Sequence, residues 1–225
     1  MPRPPVVAEY CHNLGMSRQS APSLTRQAIV RTALTMVERD GYAAFTMPRL
    51  GDELGVRTAS LYHHFRDRAD ILTEIARTIV LETDLPRIAP SAHWTEYFVT
   101  LAVNFRRTIL RHRNAAPILL QFLPRDVLTP LYETAAQVLD QADELAPSSR
   151  ILVLDGMDRI GLGSALLEAA ASPEADGPFP NASAEAQPTL TAALTQNALD
   201  AEQLFVESIR AFLAGVLANQ EARGG

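Results

Sequence analysis

The chain contains no lysine: all 20 of its basic residues are arginine, a bias that reads as genomic base composition rather than as chemistry. Cysteine is almost absent. The single thiol, Cys11, excludes an internal disulfide and suits a reducing, cytoplasmic setting, with Cys11 a bystander rather than a redox switch. No apolar run approaches the length that spans a bilayer, so no membrane association is expected. The opening MPRPPVVAEYCHNLG lacks the uninterrupted apolar core of a secretory signal. No Ser/His/Asp, Cys/His or paired-carboxylate arrangement stands out, and no phosphate-binding glycine loop appears, so an enzyme is not expected. Internal repeats and strand-like alternation are also missing.

What remains is a helical, globular composition. The chain is 47% hydrophobic, and alanine and leucine, both good helix formers, dominate it. The net charge of −6 looks wrong for a nucleic-acid binder until its distribution is read. Residues 17–83 carry a net +1, whereas residues 84–225 carry −7. The acidic excess therefore lies wholly in the C-terminal part.

Residues 1–22 are rich in Pro, Ser and Arg without periodicity and read as a disordered arm, with Met16 an alternative candidate start. From Ser23 a helix begins, marked by Ile29, Ala33 and Val37 with Val30 and Leu34 beside them, and Asp40-Gly41 stops it. Thr46 is an N-cap candidate for a short second helix, with Pro48 in its first turn and Gly55 at its end. A third helix is predicted over about Thr58–His64, and a fourth, capped by Asp67, to about Thr83. Pro86 and Pro90 mark the expected hinge. Beyond it the pattern predicts helices near 92–112, 116–122, 127–144 and 148–171, a loop at 172–188, then helices near 188–197 and 200–221. The expected fold is all-α. A helix-turn-helix domain of three helices over 23–84 joins a helical ligand-binding and dimerisation domain over 85–225.

The stretch TMPRLGDELGVRTASLYHHF, Thr46 to Phe65, carries the function. Two short helices separated by Gly55-Val56 give the geometry in which one helix supports and the next enters a major groove. Leu50, Leu54, Val56, Leu61 and Phe65 suit the inward face. That leaves Arg49, Arg57, Thr58, Ser60, His63 and His64, a hydrogen-bonding set suited to base edges and phosphates. His63 and His64 are adjacent and diverge by about 100° around a helix, so they do not chelate one ion as an i, i+4 pair does. No metal and no cofactor are expected.

The segment LTRQAIVRTALTMVERDGYAAFTMPRLGDELGVRTASLYHHFRDRADIL, above all its LGV-x-x-x-SLY-x-H-F run, resembles the tetracycline-repressor (TetR) family. The resemblance implies a ligand-responsive repressor that binds double-stranded DNA as a homodimer and is released from a pseudo-palindromic operator by a small molecule. It also implies roles at matching positions: Thr46 on a phosphate, Arg57, Thr58, Ala59, Ser60 and His63 at base edges, and Tyr62, His64 and Arg68 on the DNA backbone. One departure is plain. Family members often carry a base-reading arginine where this chain has Pro48, and Arg49 is the candidate substitute.

The segment HWTEYFVTLAVNFRRTILRHRNAAPILLQFLP resembles the ligand domain of the tetracycline-responsive members. Their magnesium-binding histidine falls on Leu119, a neighbouring threonine on Phe122 and a drug-gripping asparagine on Leu101, while a phenylalanine is kept as Phe105. Hydrocarbon does not bind a hard cation, so an apolar or aromatic effector without metal is expected. The expected pocket comprises Leu101, Phe105, Leu119, Phe122 and Tyr132, with Tyr132 and His112 as candidate donors. Gly156, Gly161 and Gly163 interrupt a helix that they do not favour. Together with the Phe205, Ile209, Phe212 and Val216 stripe they are expected at a dimer interface, as a four-helix bundle from two subunits.

Overall fold

The computed structural model describes residues 24–87, 94–122, 128–171 and 179–224. The expected arm at 1–22, Cys11, Pro90 and part of the 172–188 loop lie outside them. Among the described residues there is no strand.

Four helices form the N-terminal part: α1 (Arg26–Asp40), α2 (Met47–Leu54), α3 (Thr58–Leu61) and α4 (Arg68–Leu81). Their ends follow local chemistry. Thr25 caps α1, accepting from the Ala28 N–H at 3.1 Å, and Asp67 caps α4, accepting from Asp70 at 2.8 Å. Gly41 ends α1 at φ +81°, and Gly55 ends α2 in the left-handed region at φ +66°. The third helix is shorter than the sequence predicts. After Leu61 the chain tightens, with the His64 N–H donating to Leu61 O at 3.0 Å, so that Phe65 turns back into the core at 2% exposure.

The C-terminal part contains α5 (Trp94–Arg111), α6 (Ala116–Phe122), α7 (Thr129–Asp140), α8 (Arg150–Ala170), α9 (Pro188–Gln196) and α10 (Ala201–Gly224). Two cores hold the molecule together. The first joins Ile29, Val37, Leu50, Leu61, Ile75 and Ile79 of α1–α4 to Ile109, Ile118 and Leu119 of α5 and α6. Packing is therefore continuous past Pro86, and α4 lies against α1, α5 and α6. The second core gathers Trp94 and Phe98 of α5, Leu139 of α7, Val153 of α8, and Phe205, Ile209 and Leu213 of α10. At roughly 25 cal/mol per Å² of apolar surface removed from water, these two clusters supply the main driving force for the fold.

The residues expected at a dimer interface take different places. Phe205, Ile209 and Val216 are buried inside this chain, at 3%, 0% and 4% exposure, because that face of α10 is the one packed on α5 and α8. Gly156 provides the notch for Phe212: a Cβ there would stand 2.1 Å from the phenyl ring of the same chain. Gly161 is buried facing Phe105 of α5, 3.9 Å from where its Cβ would be. Only Gly163 looks onto open space. A glycine that admits a neighbour within the chain and one that admits a partner subunit leave the same mark in a sequence.

Candidate functional site: an exposed helix-turn-helix edge and an apolar cavity

The turn between α2 and α3 depends on one residue that the sequence reading passed over. Gly51 is buried, and a Cβ on it would meet the Val56 carbonyl at 3.0 Å and the Thr58 N–H and Oγ1 at 3.3 Å. Its bare backbone lets the start of α3 cross α2 closely. Leu50 and Leu61, both fully buried, fix the angle between the two helices. A glycine inside a predicted helix, four residues before a capping glycine, was the available signal.

With those residues inside, α3 and the turn after it present Arg57, Ala59, Tyr62 and His63 to solvent, with Thr58, Ser60 and His64 half-buried beside them. Tyr62 is 52% exposed. Arg57 makes no ion pair among the described residues. Thr46 is exposed at the start of α2; its Oγ1 accepts from the Arg49 N–H at 3.4 Å, which leaves its hydroxyl proton available to a phosphate.

Two expected contacts, the exposed Arg49 and the half-buried Arg68, also bond to their own chain. Arg49 donates to the Ala44 carbonyl at 2.8 Å and pairs with Asp40 at 2.6 Å. Arg68 donates to the Phe45 carbonyl at 3.3 Å and lies over the Tyr42 and Phe45 rings at 5.0 and 5.4 Å. Each guanidinium has only part of its five donors engaged by its own chain: Arg49 through Nη1 and Nη2, and Arg68 through Nε. Arg39 pairs with Asp40 and with Glu53, each at 2.9 Å. Its hydrogen bonds hold both carboxyls below the usual carboxylate range. Two acids of the N-terminal part are thereby neutralised locally. Arg26 stacks 4.0 Å above Phe65 and donates to the His64 carbonyl, anchoring the end of the turn that follows α3.

The second feature is a cavity of about 130 Å³. The end of α4 and its tail supply Val80, Thr83 and Leu85. Tyr97, Leu101 and Phe105 come from α5, Tyr132 and Ala135 from α7, and Leu154, Met157 and Gly161 from α8. The wall is mostly hydrocarbon, with a few hydroxyls and Asp158. Burial pushes the Tyr97 phenol above its usual range, so that it remains a donor throughout ordinary pH. Of the five expected pocket residues, Leu101, Phe105 and Tyr132 meet on this wall. Leu119 and Phe122 do not: α6 packs its apolar side on α4 and α8, which puts both in the first core. His112 is likewise off the wall, held between two carboxylates. Among the described residues no group of three or more His, Cys, Asp or Glu is placed to hold a metal ion.

Residues 29–75 match the family model described as bacterial regulatory proteins, tetR family. The class C tetracycline repressor of Escherichia coli is 35% identical over 98 residues, which cover 42% of this chain and 44% of that protein. The class D tetracycline repressor of the same organism is 24% identical across 85% of this chain and 88% of its own. ActR of Streptomyces coelicolor, solved in complex with actinorhodin, superposes with a TM-score of 0.72 at 26% identity, covering 88% of this chain and 99% of ActR. Over α1–α4 this chain is similar to the tetR family. The matched segment of the tetR model begins on α1 and ends within α4, so it includes the whole exposed edge but none of the cavity's C-terminal wall. The likeness to ActR and to the class D repressor extends over both.

Proposed function

We propose that this chain is a dimeric transcriptional repressor of the tetR family. It binds a pseudo-palindromic DNA operator through α3 and releases it when an apolar or aromatic small molecule enters the cavity. The observation that carries this reading is the pairing of two features through one helix. α4 leaves the exposed helix-turn-helix edge at Arg68 and ends in the cavity wall at Val80. A ligand that prefers one position of α4 shifts the balance between operator-binding and non-binding forms by its difference in affinity for the two.

Arg57, Thr58, Ala59, Ser60 and His63 are assigned to base edges, and Thr46, Tyr62 and His64 to the DNA backbone. Arg49 and Arg68, expected there as well, support the turn from behind. The effector is bound by burial against Leu101, Phe105, Tyr132 and Met157, with hydroxyls orienting it and no magnesium. That ActR is solved with actinorhodin accords with this class of ligand. The faces of α8 and α10 that α5 leaves uncovered, with Gly163 and Ala211 open, are assigned to the partner subunit. No catalytic role is assigned, and the protein is expected in the cytoplasm; no described helix is long and apolar enough to cross a membrane.

Selection of duplexes from a random pool, followed by footprinting, tests the reading. A two-fold symmetric site with half-sites in successive major grooves is expected, with affinity falling steeply as salt rises. Arg57→Ala should weaken that site by about 1–3 kcal/mol while leaving random duplex nearly unaffected. Equal loss on both would reject the base contact, and failure to enrich any sequence would reject the function.

A further inference from the structure

His112 is buried where three helices end. It follows the last residue of α5, Glu38 lies in the last turn of α1, and Glu82 caps α4. Its Nδ1 lies 2.5 Å from Glu38 Oε1 and its Nε2 lies 2.8 Å from Glu82 Oε2. Each of the two carboxylates sits at a helix C-terminus, and the ring bridges them through both of its nitrogens. Among the described residues, no other basic side chain ion-pairs with Glu38 or Glu82. The neighbouring Arg111 and Arg113 donate to Thr108 and to the Glu168 carbonyl. Asn114 strengthens the same junction, donating to the Glu38 carbonyl at 2.7 Å.

Glu82 is also tied to the cavity. Val80 and Thr83 on either side of it line the wall, while its own carboxylate points away to His112. Glu38, the other end of the clamp, is on α1, which packs against both α2 and α4. From these contacts we propose that His112 is the positioning residue that couples the cavity to the DNA-reading edge. This inference rests on the function proposed above and specifies its coupling route. With the cavity empty, the ring holds the ends of α1 and α4 in one register. A ligand that displaces Val80 and Thr83 draws Glu82 off Nε2 and frees α4 to swing relative to α1. His112 touches neither ligand nor DNA; it acts through the two carboxylates.

Coupling of this kind is reciprocal, so it can be read from the DNA side without knowing the effector. The probe is an operator duplex selected in vitro by this protein. The measurement is hydrogen exchange of the amides at 78–85 with and without that duplex, in the full chain and in His112→Phe, Glu82→Ala and the double variant. In the unaltered protein, operator binding should slow exchange at 82–85 by roughly fivefold or more. Each variant should bind the same duplex within about threefold yet lose that protection, and the double variant should lose no more than either single one. Protection retained in both single variants, or absent from the unaltered protein, overturns the proposal. So does a folded variant that no longer binds the duplex, which would make His112 a scaffold of the reading edge. If His112→Phe does not fold, Glu82→Ala decides alone, since Glu82 lies at the rim with 43% of its side chain exposed. If no duplex can be selected, the function itself falls, which is a different result from a bound operator without protection.

Discussion

A single hydrogen-to-methyl change separates tolerance from clash at two glycines of this protein. At Gly51 the obstacle is backbone, the Val56 carbonyl at 3.0 Å, and it cannot move without changing the angle between α2 and α3. Gly51→Ala should therefore destabilise the fold by about 1–3 kcal/mol and weaken operator binding beyond that loss; a urea titration and a binding curve would separate the two effects. At Gly156 the obstacle is the Phe212 ring, 2.1 Å from the added carbon. Gly156→Ala should cost a similar amount, on the order of 1–3 kcal/mol, and much of that should vanish in a Phe212→Ala background, because the ring is the obstacle. Additive losses in that double-mutant cycle would show that the clash is relieved elsewhere. Phe212→Glu, by the same contact, should unfold the chain rather than yield folded monomers.

Elements are held in register by caps and ion pairs whose failure has a defined direction. Asp67 caps α4, the helix that joins the helix-turn-helix edge to the cavity, and Asp67→Ala should destabilise the protein by about 1 kcal/mol in thermal or urea unfolding. The start of α10 is tied to α5 by Glu202, which lies 2.5 Å from Arg107 and 3.1 Å from the buried Arg106. Arg107, through its hydrogen bond, lowers the Glu202 carboxyl below its usual range. A carboxyl whose folded value is depressed contributes stability that is present above its unfolded value and is lost as pH falls through the folded one. Unfolding midpoints measured across the acid range should thus decline less steeply for Glu202→Gln than for the unaltered chain. An unchanged slope would remove this pair from the acid response.

For the whole molecule, the proposed dimer turns on which surface would meet a second copy. In α9 none of the residues is buried within its own chain. The outer side of α8 exposes Leu152 and Leu167 at 49% and 77%, and α10 exposes Leu204 at 40%. Ala211 and Ala218 are exposed on that same side of α10, and nothing stands within 4 Å of a Cβ built on Gly163 or Gly215. Small side chains let helices approach closely, and the exposed leucines need cover. Ala211→Arg should accordingly place an unpaired charge in the bundle and halve the molar mass measured by light scattering, while helicity is kept. A dimer of unaltered mass would put the interface on another face.

The sequence by itself determined the helices and the exposed edge. Caps such as Thr46 and Asp67, stops such as Gly41 and Gly55, and the 3.6-residue spacing of apolar side chains act within a few residues of one another, so they are legible along the chain. Side-chain size and polarity likewise put Leu50 and Leu61 inside and Arg57 and His63 outside. Tertiary structure alone decided which apolar stripe faces which neighbour. Phe205 and Ile209 fit a partner subunit as well as they fit α5, and Leu119 fits a ligand as well as it fits α4; hydrophobic burial has no direction, so composition does not distinguish these covers. Contacts between residues far apart in sequence are equally hidden. His112 meets Glu38 and Glu82, and Arg106 meets Glu168 and Glu202, only after the helices have packed, because an ion pair depends on position in space and not on spacing along the chain.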